Sequence, residues 1–207
     1  MQILIEAAKT LEDKAVIERI RREVFEREAG IPLSRLTISA DAEALHLLAR
    51  AEVTGDPAAT LSVIDTSKDH ELHQRYGLRF SSNSRVARYT QLAVLKSYRG
   101  LKIPLMLMLE AHRQFVIPRR FDYTWLLFDA ERAGVTFMSK RLGFTVTEEI
   151  FEADCGQSRA LVRDERAVSS KRAIERAEEY LDQFLRRLST AQATVTGASR
   201  GIHAAIS

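Results

Sequence analysis

Arg88-Tyr89-Thr90-Gln91-Leu92-Ala93-Val94 leads into Lys96-Ser97-Tyr98-Arg99-Gly100-Leu101-Lys102-Ile103-Pro104, and an apolar run then continues to Phe115. The first segment has the β-branched and apolar alternation of a strand. The second is a basic loop punctuated by Gly100, and the third has the length and continuity of a buried helix, predicted over Lys102 to Val116. A helix entrance that follows a strand through a short loop carries backbone N–H groups with no intrahelical acceptor. Those amides and the positive end of the helix dipole point the same way, so the loop is a natural seat for a phosphate or diphosphate.

Working outward, Gln2–Ala7 reads as a short strand and Leu11–Glu28 as an amphipathic helix stopped by Gly30 and Pro32. Ala44–Val53 and Ala58–Ile64 flank Thr54-Gly55-Asp56-Pro57 and form an antiparallel hairpin. The polar segment Ser67–Ser84 is helical in its first half. Downstream, Asp122–Phe128 is a core strand, Glu131–Leu142 a helix, and Thr145–Phe151 with Arg159–Val162 a closing hairpin. The order is that of an α/β protein with a single mixed, mostly antiparallel sheet flanked by helices. Residues 1–163 form the expected domain. A charged C-terminal helix at 164–188 follows, with Ile174, Ala177, Leu181, Phe184, Leu185 and Leu188 on one face, and it docks on the body or on a second subunit as a homodimer. The Ala/Thr/Ser/Gly composition of 189–207 predicts a flexible tail.

Lys and Arg outnumber Asp and Glu by only 31 to 28 in 207 residues, and the basic clusters are scattered. No aromatic and basic platform accompanies them, so nucleic acid is not the expected partner. Apolar content of 45% with 29% charged residues fits a soluble globular chain. Cys155 is the single cysteine, so no internal disulfide forms, and its acidic neighbours disfavour a thiolate nucleophile. With no long apolar run, a membrane span is not expected, and the reading is of a cytoplasmic protein. Val195-Thr196-Gly197-Ala198-Ser199-Arg200-Gly201-Ile202 imitates a dinucleotide-binding glycine loop. That loop functions only between a strand and a helix of a parallel sheet, and the reading is rejected here.

Two blocks resemble the GCN5-related N-acetyltransferase superfamily. Arg21-Arg22-Glu23-Val24-Phe25-Glu26-Arg27-Glu28-Ala29-Gly30-Ile31, with Asp41-Ala42-Glu43-Ala44-Leu45-His46-Leu47-Leu48-Ala49, is similar to the opening of one of its branches. That branch includes N-acyl amino acid synthases and autoinducer synthases. The second block is the strand, loop and helix from Leu92 to Leu109 with the closing Leu142-Gly143-Phe144. The resemblance implies direct transfer of an acyl group to the amine of a small molecule, without a metal. The donor it implies is acetyl-CoA, a longer acyl-CoA or an acyl carrier protein.

On that resemblance Leu92, Ala93, Val94, Tyr98, Arg99, Gly100, Leu101, Lys102 and Ile103 would hold the donor. Its pantetheine arm would lie between Ala93-Val94 and the strand Tyr123–Leu127. Three departures stand out: Lys102 replaces a glycine, Pro104 replaces a small residue with an N–H, and Ser139 stands where a tyrosine acid is common. Arg88 occupies a position often held by an acidic base. Asp129, His46, Tyr89 and Glu28 remain as catalytic candidates, Glu28 from its motif position and the others from strand placement and chemistry. Glu52 is a weaker candidate base. Two other functions are compatible with these residues: a non-catalytic binding module that has kept the fold, or an autoinducer-type acyl-homoserine lactone synthase.

Overall fold

A computed structural model describes residues 2–36, 44–129, 134–153 and 156–203. Asp41–Glu43, the Glu131-Arg132 start of the predicted helix, and Cys155 lie outside the described residues.

The chain opens with β1 (Ile3–Ala7) and α1 (Leu11–Arg21), and the helix continues as a wider coil over Arg22–Glu28. Thr10 starts α1 through a capping box. Its hydroxyl accepts from the Asp13 N–H at 3.0 Å, and the Asp13 carboxylate accepts from the Thr10 N–H at 3.2 Å. These hydrogen bonds, Thr10's above all, lower the Asp13 pKa to about 2. Ile17 and Ile20 turn to the sheet and pack on Leu48 and Ala93.

The predicted hairpin is present as β2 (Leu45–Ala51) and β3 (Pro57–Asp65), followed by the short α2 (His70–Arg75). β4 (Val86–Val94), α3 (Ile103–Ala111, continued to Val116) and β5 (Tyr123–Asp129) match the expected central unit within a residue or so. α3 is apolar around most of its circumference because it is enclosed. Ile103, Leu105, Leu107, Met108, Leu109 and Ala111 are all buried. α4 (Gly134–Leu142) then leads to β6 (Thr145–Val146), β7 (Phe151–Ala153) and β8 (Gly156–Asp164).

The closing hairpin differs from expectation. β8 is one long strand, and β6 and β7 pair with different parts of it. Thr147 still donates its N–H to the Ala160 carbonyl of β8 at 2.9 Å, Glu148-Glu149-Ile150 then leaves the ladder, and the Arg159 guanidinium donates to the carbonyls of Thr147 and Glu148. α5 runs from Val168 to His203, past the Leu188 boundary read from composition.

The strands follow the order β1-β2-β3-β4-β5-β8-β6, with β7 also on β8. Only β4 and β5 are parallel neighbours; the other pairings are antiparallel. α3 packs on one face in the main core with α4 and α5, and α1 covers the other. Gly143 lets α5 dock closely. A Cβ there would lie 2.8 Å from the Ala173 Cβ, and its φ of +71° suits glycine.

Candidate active site

The site begins where the sheet opens. β4 and β5 pair only through Val86↔Tyr123, Ala87↔Thr124 and Arg88↔Trp125. Beyond that point β4 remains on β3 as far as Val94↔Ala59, and β5 remains on β8 as far as Asp129↔Ser158. The two strands diverge, each held from outside.

A bulge in β4 accompanies the divergence. Opposite the β3 step from Thr60 to Ser62, β4 runs from Ala93 to Thr90, and the extra residue Gln91 has φ +53°. A bulge of this kind bends its strand and increases its twist. Tyr123 to Trp125, expected to border the pantetheine arm, are still paired to β4. The wall of the gap is therefore Leu126–Asp129.

The antiparallel pattern fixes which backbone groups face this gap. Leu95 donates its N–H to the Ala58 carbonyl at 2.9 Å, so the neighbouring pair Val94↔Ala59 is a non-hydrogen-bonded one. The N–H and C=O of Val94 accordingly point away from β3. Its carbonyl accepts from Arg99 Nε at 3.2 Å.

At the mouth of the gap a turn over Lys96–Tyr98 leads to the entrance of α3. Tyr98 and Leu101 anchor the loop by packing against the main core, and Leu92 and Val94 do the same from β4. Gly100 has φ +89°. Lys102 caps α3 in the left-handed region with φ +62°, a conformation that costs a non-glycine residue roughly 1–2 kcal/mol. Pro104 falls within the first turn, where its missing N–H removes no intrahelical bond. The buried Ile103 completes the entrance. Arg99 also donates to the carboxylate of Glu28, which ties the loop to the end of the α1 coil. A hollow of about 480 Å3 beside this tie is lined by Glu23, Glu28, Leu95, Lys96 and Ser97. A larger one of about 690 Å3 lies at α2, bordered by His70, His73, Arg79, Phe80 and Glu149, and touches none of the candidate residues.

The four catalytic candidates occupy different places. His46, on β2, is paired with Ser62 across the ladder, and His46 Nδ1 lies 2.6 Å from Ser62 Oγ. Arg21 of α1 also donates to that hydroxyl. Ser62 is opposite Thr90, so this group lies on the α1 face beside the bulge. Tyr89 sits one residue past the last β4–β5 pair but on the opposite, α3 face, its ring 6.3 Å from that of Phe144. Burial pushes the Tyr89 phenol well above its ordinary pKa, against the charge of nearby Arg163. Glu28 is bound to Arg99, and half-buried Asp129 is at the open end of β5. Glu52 is exposed in the β2–β3 turn.

Sequence reasoning missed Arg21 and Ser62 as a unit with His46. The available signal was a buried serine on the same face of β3 as Thr60, facing an arginine one helix away. It also missed a buried network under the closed end of the β4–β5 pair. The Arg163 guanidinium, 2% exposed as a residue, donates to Glu165 Oε1 at 2.8 Å and to the Leu142 carbonyl at 3.1 Å. Thr124 donates to the same carboxylate, and His112 Nε2 lies 3.2 Å from its other oxygen. Burial would raise the Glu165 pKa, but the His112 hydrogen bond and the Arg163 charge hold it below the ordinary value. On the other face, Arg88 stacks 4.7 Å from the Trp125 ring centre.

An open mixed sheet parted between its parallel central strands, with a helix entrance at the mouth, has close counterparts among solved structures. BjaI, a CoA-dependent acyl-homoserine lactone synthase with SAM and isopentyl-CoA, superposes with a TM-score of 0.62 at 17% identity, over 86% of this chain and 90% of its own. The chain has the GCN5-related N-acetyltransferase fold. FeeM, an N-acyl amino acid synthase from uncultured soil microbes, matches with a TM-score of 0.60 at 15% identity, over 79% of this chain and 91% of that one. An acyl-CoA N-acyltransferase from Pseudomonas aeruginosa matches with a TM-score of 0.56 at 20% identity, over 78% and 98%. No protein-family model matches the sequence, and no curated protein does. The expected sheet and helix arrangement is thus present. Among the described residues, no helix is long and apolar enough to cross a membrane.

Proposed function

We propose that this protein is an N-acyltransferase that moves an acyl group from a CoA thioester to the amine of a small molecule. The observation that carries this reading is the β4–β5 gap, with the backbone of Val94 turned toward it on one side and the α3 entrance at its mouth. The solved structures that share the fold include CoA-dependent and acyl-CoA-dependent enzymes, which supports the same donor here.

In this reading the pantetheine arm lies along Val94 like an added strand, and the amides from Tyr98 to Ile103 meet the diphosphate. Arg99 reaches the same place from its position between Val94 and Glu28. The amine nitrogen attacks the thioester carbon, and the Val94 N–H stabilises the oxygen that becomes negative. As the new C–N bond forms, the C–S bond breaks and the thiolate leaves.

His46 takes the amine proton, directly or through one water. Ser62 Oγ can accept from both Arg21 and His46 Nδ1, and in that tautomer Nε2 is the basic nitrogen of the neutral imidazole. Tyr89 is poorly matched as the acid, because its pKa is pushed upward, and Ser139 is weaker still; the thiolate takes its proton from water. Asp129, at the open end of β5, would meet the donor in this reading.

Calorimetric titration with CoA, acetyl-CoA and a medium-chain acyl-CoA, followed by mass spectrometry of reactions with a panel of amines, tests the proposal. Binding together with an amide product is expected. Binding without any product would support a non-catalytic module. No binding to any thioester, acyl carrier protein included, would overturn the donor assignment. A carrier-protein arm would enter by the same gap, and the ratio of rates with the two donors identifies which is used.

A further inference from the structure

The donor loop departs from the family pattern at Lys102 and Pro104, and the structure brings a third residue, remote in sequence, to the same place. α5 is fastened across the α3 and α4 layer. Ala173, Ile174 and Ala177 are buried, Arg113 of the α3 coil pairs with Glu178 at 2.8 Å, and Arg141 of α4 lies 4.2 Å from the Tyr180 ring centre. From Glu178 beside the end of α3, the helix reaches Phe184 beside its beginning. There the Lys102 ammonium sits 5.9 Å from the Phe184 ring centre.

We infer that Phe184 is a positioning residue for the donor: its ring holds the Lys102 ammonium at the α3 entrance, where that cation meets the diphosphate of CoA. This rests on the donor assignment above. Three observations combine. Pro104 withdraws an amide from the first turn of α3, so the entrance offers one hydrogen-bond donor fewer to an anion. Lys102 supplies a cation on a four-carbon stem, and it does so from a backbone conformation, φ +62°, that glycine would adopt at no cost. A flexible ammonium loses rotamer freedom when it binds an anion. An aromatic face within about 6 Å restrains it beforehand and attracts its charge.

The occupant is therefore a diphosphate-bearing thioester, and α5 is part of the donor wall. The effect is specific to the charged half of the donor, because the pantetheine arm is held on Val94, away from α5.

The test compares dissociation constants for CoA and for pantetheine, which lacks the diphosphate, in the wild type, Phe184→Leu, Lys102→Ala and the double variant. Phe184→Leu keeps apolar bulk on the half-buried face of α5 and removes the ring. CoA affinity is expected to fall about three- to fivefold in Phe184→Leu, with pantetheine affinity unchanged. In the Lys102→Ala background the same change should have no further effect on CoA. Equal loss for both ligands would show a general structural role and overturn the inference. Full additivity in the double variant would overturn it too, as would unchanged CoA affinity in Phe184→Leu. If the wild type binds neither CoA nor pantetheine, the donor assignment itself fails, an outcome distinct from all of these. Thermal unfolding of each variant confirms that the comparison is made on folded protein.

Discussion

At its closed end the β4–β5 pair has ladder hydrogen bonds from Val86 to Arg88, Trp125 fully buried on one face, and the Arg163–Glu165 pair enclosed on the other. At its open end the same two strands have no common ladder, and the backbone of Val94 faces the gap. The closed end turns Arg163, Glu165 and Thr124 inward and pairs them with one another. The open end turns the Val94 N–H toward the gap, where a ligand or water can complete it. The contrast separates residues that hold the sheet together from residues that serve the gap, and substitutions at the two ends should fail in different ways.

The largest effect belongs to the closed end. Arg163→Ala leaves Glu165 buried without its arginine partner and should lower stability by about 3–5 kcal/mol in urea unfolding, while CoA affinity of the folded fraction stays within about twofold. A matching loss of affinity in folded protein would break the division of labour. The pair also sets an acid limb. The folded-state pKa of Glu165 is lowered, so its stabilisation is complete above the ordinary value of 4.5 and is lost as pH falls toward the folded value. That limb should flatten in the variant.

At the open end, His46→Gln should reduce kcat about a hundredfold or more with donor affinity unchanged, read from steady-state rates and calorimetry together. An unaltered kcat would move the base elsewhere, with Asp129→Asn the next variant to assay. Arg99→Ala should weaken CoA about tenfold, since a charge-assisted contact to phosphate is lost. Retained affinity would restrict Arg99 to its tie with Glu28.

The smallest effect lies away from both ends. Thr10→Ala removes the hydroxyl that contributes most to the low Asp13 pKa, so that pKa should rise from about 2 toward 3.8 by NMR titration, with a small drop in Tm. The cap's contribution is present above the ordinary carboxylate pKa and disappears as pH falls from there toward 2.

Much of this was legible in the residues. The strand, loop and helix from Val86 to Val116 follow from local rules, because a β-branched run, a glycine-containing turn and a continuous apolar helix each have their own signal. The antiparallel hairpin around Gly55 and the docking face of α5 were readable for the same reason. The interrupted β6–β7 edge was not, since Glu148 to Ile150 carries no local signal for leaving the ladder.

The composition of the site was less legible than the fold. Arg21, His46 and Ser62 come from a helix and two strands, and Tyr89 and His46 are separated to opposite faces by a register that only pairing establishes. The sequence by itself determined the elements, their order and the helix entrance, because these depend on contacts within a few residues. Tertiary structure alone decided where β4 leaves β5, which face each candidate takes, and that Phe184 meets Lys102. Those outcomes depend on ladder register, one extra residue at Gln91 and the path of a distant helix, all of which are set by long-range packing.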